Sequence, residues 1–275
     1  PESYSQMYHQ VCGIPTNPFR KFKNFYAFAK TYVDVRQRKI NGNYINDYSK
    51  GLQSIIDMMK PYTISYTQKE AGFKVQTNEE ILYVDVPSGL RKIIKRLSTD
   101  RVIEGKDQVV LADTAVKLMS KTHQLYSGTV KFESGKSMVL DSTKAKFIQS
   151  VFKNKKIAIF YKFTAEYEAI KEVFGDSICN TLDEFCNTDK SIALQIVSGR
   201  EGISLKQAVA LVYYNIDFSA TSYWQSKDRM TTKNRLHNEV YWIFSRGGIE
   251  DQIYKAVVKK KDYTLTHFKK DLLTL

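Results

Sequence analysis

The chain of 275 residues is short of the residue types that staple or metallate a fold: it has three cysteines, four histidines and five prolines. Cys12, Cys179 and Cys186 form no CxxC pair and leave one over from any single disulfide. That excludes a zinc ribbon and a disulfide scaffold, and fits a reducing compartment. The histidines fall at no metal-ligand spacing, so each reads as a surface or packing residue. No apolar run approaches a membrane span and no signal peptide is visible, which leads to a cytoplasmic protein with no membrane partner. No GxGxxG follows a strand, which weighs against a dinucleotide-binding enzyme. The phosphate loop GxxxxGK[ST] is absent as well. Acid is also scarce: 29 Asp and Glu face 42 Lys and Arg, a net charge of +13. Such a surplus fits a polyanionic partner, most simply nucleic acid, and equally fits a lysine-rich solvated surface.

The hydrophobic content of 43% is ample for a core. Residues 192–197 and 209–214 are short apolar runs that read as fully buried strands, and residues 239–244 give a third. Strands at 157–161, 192–197, 210–215 and 239–244 are interspersed with helices at 165–174, 221–233 and 249–259. This pattern predicts an α/β fold with a parallel sheet and right-handed crossovers. In such a sheet ligands collect beyond the carboxyl ends of the strands. There the sequence places SGREG, NIDFS and a row of cations.

Upstream, residues 1–60 are aromatic-rich and mostly helical in pattern. Phe19, Phe22, Phe25, Tyr26 and Phe28 recur at helical spacing, the mark of core packing more often than of a base-stacking platform. NGNY at 41–44 signals a turn, and a second helix is expected over 48–59, stopping before Pro61. Residues 80–86 alternate as a strand, and 90–97 and 109–125 read as helices. A tight hairpin joins 129–132 to 137–140, and Ser142 is a plausible N-cap for a helix over 144–152. A boundary near 140 then separates a helical region (1–140) from an α/β unit (141–275). The opening PESYSQMYHQ has no initiator methionine and reads as cut from a longer chain.

KIAIFYKFT, then SGREGISL, then the row from Gln225 to Arg235, resemble motifs IV, V and VI of superfamily-two helicases. The detail is most similar to the Swi/Snf-type branch, and within it to helicases encoded by bacteriophages. GGIEDQIYKAVVKKKDY resembles that branch's closing helix, KLMSKTHQLYSG the helix before its second domain, and PESYSQMYHQ the segment after its motif III. The resemblance covers nearly the whole chain. It implies a second RecA-like domain, with residues 1–140 as a helical insertion and bridge. Its partners would be DNA, gripped by its backbone without sequence specificity, and a first RecA-like domain of the same chain. ATP and Mg2+ would be bound mainly by that first domain, leaving this chain alone with negligible ATPase activity. The second domain supplies a cation that stabilises charge on the transferred phosphoryl group.

The resemblance assigns roles residue by residue. Gly199, Arg200, Glu201 and Gly202 would lie against nucleotide or phosphate, the glycines allowing close backbone approach. Gln225 and Asp228 fall in register with QAxDRxxR, as does Arg229, the first choice for the catalytic cation. The second arginine of that pattern lands on Thr232, so Lys233 and Arg235 stand as runners-up. On one helix Arg229 and Lys233 would share a face, which is also what a plain solvated basic face would do. Lys162, Phe163, Thr164, Ser198 and Asp217 would contact the nucleic acid, chiefly its backbone, Thr164 doubling as a helix cap. Asp217 and Phe218 occupy the loop that links those contacts to the ATP cleft, with Phe218 leaning to the core. Tyr223 and Trp224 read as packing residues. The rival reading is a stand-alone nucleic-acid-binding module that kept the fold and lost the ATPase.

Overall fold

The computed structural model describes residues 3–40, 43–64, 70–105, 107–199 and 202–259. The chain divides into two compact units, Pro1–Ala71 and Gly72–Leu275. The first holds helices α1 (Met7–Val11), α2 (Phe25–Tyr32) and α3 (Gln53–Met59), with an antiparallel hairpin of β1 (Arg36–Ile40) and β2 (Asn43–Asp47) between the last two. Its core gathers Tyr8, Phe19, Phe28, Ile55 and Met59. Phe28 thus packs inward as its spacing predicts, whereas Tyr26 on the opposite side of α2 is 63% exposed. The largely helical expectation misses the hairpin, whose second strand begins within the NGNY signal; Asn41 and Gly42 lie outside the described residues. α3 begins five residues later than expected, and Pro61 sits in the single 3-10 turn Lys60–Tyr62 that follows it.

The second unit is built on six strands: β3 (Gln76–Val84), β8 (Ile157–Tyr161), β9 (Ile178–Cys179), β10 (Ser191–Gln195), β11 (Ala210–Tyr213) and β12 (His237–Ser245). Their order across the sheet is β3-β12-β11-β8-β10-β9, and every neighbouring pair is parallel. Between β3 and β8 run α4 (Ser88–Asp100), the hairpin β4 (Val102–Glu104) with β5 (Val109–Leu111), α5 (Ala115–Tyr126), the hairpin β6 (Thr129–Lys131) with β7 (Ser137–Val139), and α6 (Thr143–Val151). The later crossovers carry α7 (Thr164–Phe174), α8 (Leu182–Asn187), α9 (Ile196–Gly199), α10 (Ala220–Lys227) and α11 (Glu250–Val257).

Successive residues of a strand face opposite ways, and β8 shows what that does here. Ala158 and Phe160 enter a core with Leu211, Tyr213, Trp242 and side chains of α4, α5 and α11. Ile157 and Ile159 enter another with Val212, Ala145 and Ile148 of α6, and Ile170 of α7. The sheet is therefore covered on both faces, which is why its central strands read as unbroken apolar runs. This is the α/β parallel sheet flanked by helices that the strand and helix pattern predicts.

Several boundaries differ from the sequence expectation. β3 pairs with β12 over its whole length of nine residues, so the sheet draws on both sides of residue 140 and the compact unit starts at Gly72. The helix expected from 109 starts only at Ala115, where Thr114 Oγ1 accepts from the Lys117 N–H at 3.2 Å. Ser142 does not cap α6 with its side chain; Asp141 does, accepting from the Thr143 N–H at 3.2 Å. β9 and α8 are too short and too mixed in polarity to announce themselves.

A buried ion pair closes the second unit. Lys144 on α6 meets Glu250 on α11 at 2.9 Å, with side chains 4% and 0% exposed. Lys144 also donates to the Tyr214 carbonyl, and Glu250 accepts from the Ser245 N–H. Gly248 is what lets the carboxylate in: a Cβ there would lie 1.9 Å from Glu250 Oε2 and 2.8 Å from the Ser245 carbonyl. Overfilling a packed core costs about 1–3 kcal/mol. Gly248→Ala is accordingly expected to lower unfolding stability by about that much, read as a fall in the urea midpoint at unchanged m-value.

Candidate nucleic-acid interface

Because all six strands run one way, the chain leaves β8, β10 and β11 on a single edge of the sheet. Residues 162–164, 196–199 and 214–218 therefore become neighbours. A groove of about 290 Å3 opens there, lined by Lys162, Phe163 and Thr164 together with Gln195 and, from the β6–β7 hairpin, Lys131 and Ser137. Gln195 Nε2 donates to the Lys162 carbonyl at 3.1 Å, and Ser198 Oγ donates to the Gln195 carbonyl at 3.0 Å. Three of the predicted backbone-contact residues thus line one groove, and Ser198, exposed on α9, is tied to its rim.

The groove is shaped by a polar network with no exposure. Glu166, in the first turn of α7, is fully buried. Its Oε2 accepts from the backbone N–H groups of Lys162 (2.7 Å) and Phe163 (3.0 Å), and its Oε1 from Asn215 Nδ2 (2.6 Å). Thr164 is the first residue of α7 rather than its cap; Phe163 occupies the cap position and Glu166 reaches back to it. Burial pushes the Glu166 carboxyl up, against the opposing pull of these hydrogen bonds. Asn215 Oδ1 accepts from the Ile216 N–H and meets His123 Nε2 at 2.5 Å. The Ile216 N–H bond identifies this atom as the amide oxygen, which only accepts, so the histidine is the Nε2–H donor. His123 Nδ1 is buried with no hydrogen-bond partner among the described residues.

Around this network sit the charges. Lys162 Nζ is ion-paired with Asp217, each side chain 13% exposed, and lies 4.2 Å from the Phe218 ring centroid and 5.7 Å from that of Phe163. Asp217 also accepts from Ser222 Oγ (2.8 Å) and the Phe218 N–H (2.9 Å). Burial alone would raise the Asp217 carboxyl, but the Lys162 ammonium and these hydrogen bonds hold it below the usual carboxylate range. Phe218 packs against the core as its sequence context suggests.

The cations after α10 are not arranged as one helical face. α10 ends at Lys227, a 3-10 turn covers Asp228–Met230, and Thr231 is already extended. Lys233 lies exposed in the loop beyond, so it does not stand one helical turn from Arg229. Arg229 Nε donates back to the Gln225 carbonyl at 3.0 Å, and the Arg229 carbonyl accepts from the Leu205 N–H at 2.8 Å, which sets it beside the segment after Gly202. Arg235 belongs to the opposite edge. It donates to the carbonyls of Lys206, Ala208 and Val209, just ahead of β11, and to that of His237 at the start of β12. It is a structural pin.

Gln225 Oε1 is buried without a partner among the described residues, and Asp228 opens the 3-10 turn. Gly199 is packed rather than open: a Cβ would sit 2.6 Å from Phe160 Cε1. Gly202 has the positive φ of 69° that a turn demands. Arg200 and Glu201 lie outside the described residues. Phe160 fills the space over Gly199, and Arg229 Nε is held by the Gln225 carbonyl. The described residues include neither a cluster of three His, Cys, Asp or Glu that could hold a metal nor a helix long and apolar enough to cross a membrane.

Sequence reasoning missed Lys131, His123, Glu166 and Asn215, and also Glu79. The last, on β3, accepts from Tyr223 Oη (2.9 Å) and Trp242 Nε1 (3.1 Å) and is ion-paired with Lys227. Glu166 had a local signal, standing three residues after Phe163 at capping-box spacing. Asn215 shows only as the polar residue closing an apolar run. Glu79 had none, because its partners lie about 150 residues away in the chain.

No family model matches the chain, and neither does any curated protein. Solved structures do match. The C-terminal part of the Fun30 ATPase domain is 18% identical over 44% of this chain and 45% of that one, with a TM-score of 0.35. The Sulfolobus solfataricus SWI2/SNF2 ATPase core is 15% identical over 76% of this chain and 48% of that one, with a TM-score of 0.47. The same core in complex with dsDNA is 14% identical, covering 76% and 50%, with a TM-score of 0.43. The chain spans about half the length of each of these structures.

Burial, with the Lys162 and Lys144 charges adding to it, holds His123 well below the ordinary imidazole value. The unfolded chain takes up a proton below about pH 6.5 that the folded chain does not, so this group removes stability as pH falls from there. Unfolding free energy is expected to drop by up to about 1.4 kcal/mol per pH unit below 6.5 from this residue. His123→Gln should lack that component, which urea titrations of both proteins at pH 7.5, 6.5 and 5.5 will read.

Proposed function

We propose that this chain is the C-terminal, RecA-like half of an ATP-dependent DNA helicase or translocase of the Swi/Snf type. The observation that carries the reading is the groove at the carboxyl edge. There the loop after β8 and the β6–β7 hairpin present Lys131, Lys162, Phe163 and Thr164 to one cleft, with Ser198 at its rim. This is a surface suited to a phosphate backbone and not to base edges. The order of the three motifs along the chain and the all-parallel sheet support it further. In the same reading residues before about 140 include the family's helical insertion and bridge. A first RecA-like domain binds ATP and Mg2+, and the working compartment is the cytoplasm of a bacterial or phage-infected cell.

Duplex DNA is the probe of choice, since one of the similar solved structures is described in complex with dsDNA. Each phosphate neutralised by a lysine contributes about 0.9 to the log–log dependence of affinity on salt. The exposed Lys131 is expected to be one such contact. Lys131→Ala should therefore weaken binding of a mixed-sequence duplex and flatten its salt slope by about 0.9 between 50 and 200 mM, measured by fluorescence anisotropy. A slope near zero for the unaltered chain would refute the groove as a phosphate site.

Arg235, engaged as a pin on the Lys206 and Ala208 carbonyls, favours a second reading: a nucleic-acid-binding module without ATPase activity. Arg229 separates the two. In the motor, joined to its first RecA-like domain, Arg229→Ala is expected to lower ATP turnover about a thousandfold or more while DNA affinity holds. In a binding module there is no turnover to lose.

A further inference from the structure

Lys162 lines the groove, yet its ammonium is already neutralised. Asp217 holds it in an ion pair, and the rings of Phe218 and Phe163 flank it. The acceptor does not depend on Lys162 for its place. Ser222 Oγ fixes one oxygen of Asp217 and the Phe218 N–H fixes the other. The lysine backbone is equally fixed, because its N–H is held by Glu166 and its carbonyl by Gln195. Only the Lys162 side-chain torsions remain free to change the pairing.

We propose that Asp217 sets the affinity of the groove for backbone phosphate by withholding the Lys162 charge from it. The inference rests on the groove being the phosphate site. A phosphate approaching Lys162 meets the Asp217 carboxylate on the same ammonium, and two anions competing for one cation oppose each other. A lysine paired in this way neutralises no phosphate and releases no counterion condensed on the duplex, so it adds little to the salt dependence of binding. Exposed Lys131 has no such acid among the described residues and counts in full. Asp217 is thus an affinity-determining residue that never touches the nucleic acid.

The test is an anisotropy titration of the 275-residue chain with a mixed-sequence duplex between 50 and 200 mM salt. Asp217→Asn keeps the shape and removes the charge, its Oδ1 accepting from the Phe218 N–H and its Nδ2–H donating to Ser222 Oγ, which reverses that bond. It is expected to steepen the log–log slope by about 0.9, so that affinity gains roughly eightfold for each tenfold fall in salt relative to the unaltered chain. Adding Lys162→Ala to Asp217→Asn should abolish that gain, which a general change in net charge would not do. Thermal melts establish that each variant is folded, and Asp217→Ser, smaller and also neutral, serves if the asparagine variant is not. An unchanged or shallower slope in a folded neutral variant overturns the proposal while leaving the groove intact. If the unaltered chain has no salt-dependent binding and Lys131→Ala changes nothing, the groove reading falls and takes this proposal with it.

Discussion

A carboxylate without exposed surface must recover from the protein the hydrogen bonds it loses to water, and Glu166 is that carboxylate. An unpaired buried charge would cost several kcal/mol. Glu166 recovers its partners from two backbone N–H groups after β8 and the Asn215 amide after β11. Those donors belong to two different loops, so satisfying one side chain fixes both loops to each other. The third party is α5, through His123 on Asn215. Phosphate contacts are made from loops, and loops are ordinarily the mobile part of a fold. Here the backbone N–H groups of Lys162 and Phe163 in the groove wall are tied to a buried side chain.

The same logic recurs at two other places in this unit. Glu79 on the edge strand collects Tyr223, Trp242 and Lys227, and so holds the end of α10 against the sheet. Glu250 meets Lys144 and joins α11 to α6. Each acid lies far in sequence from its principal basic partner, so each fixes tertiary geometry that local propensity leaves open. The Glu250–Lys144 pair is the buried one, and such pairs are poor evidence of net stabilisation but costly to break singly. Their service is to make one packing of the helices the satisfied one.

What the sequence disclosed follows the same division. β8, β10 and β11 were legible because burial on both faces turns a strand into an apolar run, as IAIF and ALVYY do. The limits of α10 were not. From Gln225 to Arg235 the row is polar and helix-compatible, and nothing local forbids Lys233 from following Arg229 on one face. The chain leaves the helix because Met230 is drawn into the core, fully buried, and Thr231 is captured by the buried Asn238 amide at 2.8 Å. Both causes are tertiary. The part of β3 in the sheet was hidden similarly: its alternation marks a strand, but the partner that accepts it is β12, across most of the second unit. Lys162 was found through motif order, whereas Lys131 on the hairpin and the buried residues behind the groove were not, since a lone Lys, Glu or His carries no periodic signal.

The distribution of charge then bears on how a chain with a surplus of +13 meets a polyanion. Lys144, Lys162 and Lys227 each face an acid in an ion pair whose side chains are at most one-fifth exposed. Each such pair is neutral, so the surplus itself sits on other lysines and arginines. Total charge accordingly governs the long-range attraction, which salt screens within about 10 Å near 0.1 M. Short-range grip depends instead on which groove cations lack a fixed counter-charge. Of the two lysines lining the groove, Lys131 stands on an exposed hairpin strand and Lys162 is held by Asp217. Two side chains of the same type, on opposite walls of one groove, therefore differ in what they offer a phosphate, and the difference is set by an acid fifty-five residues along the chain.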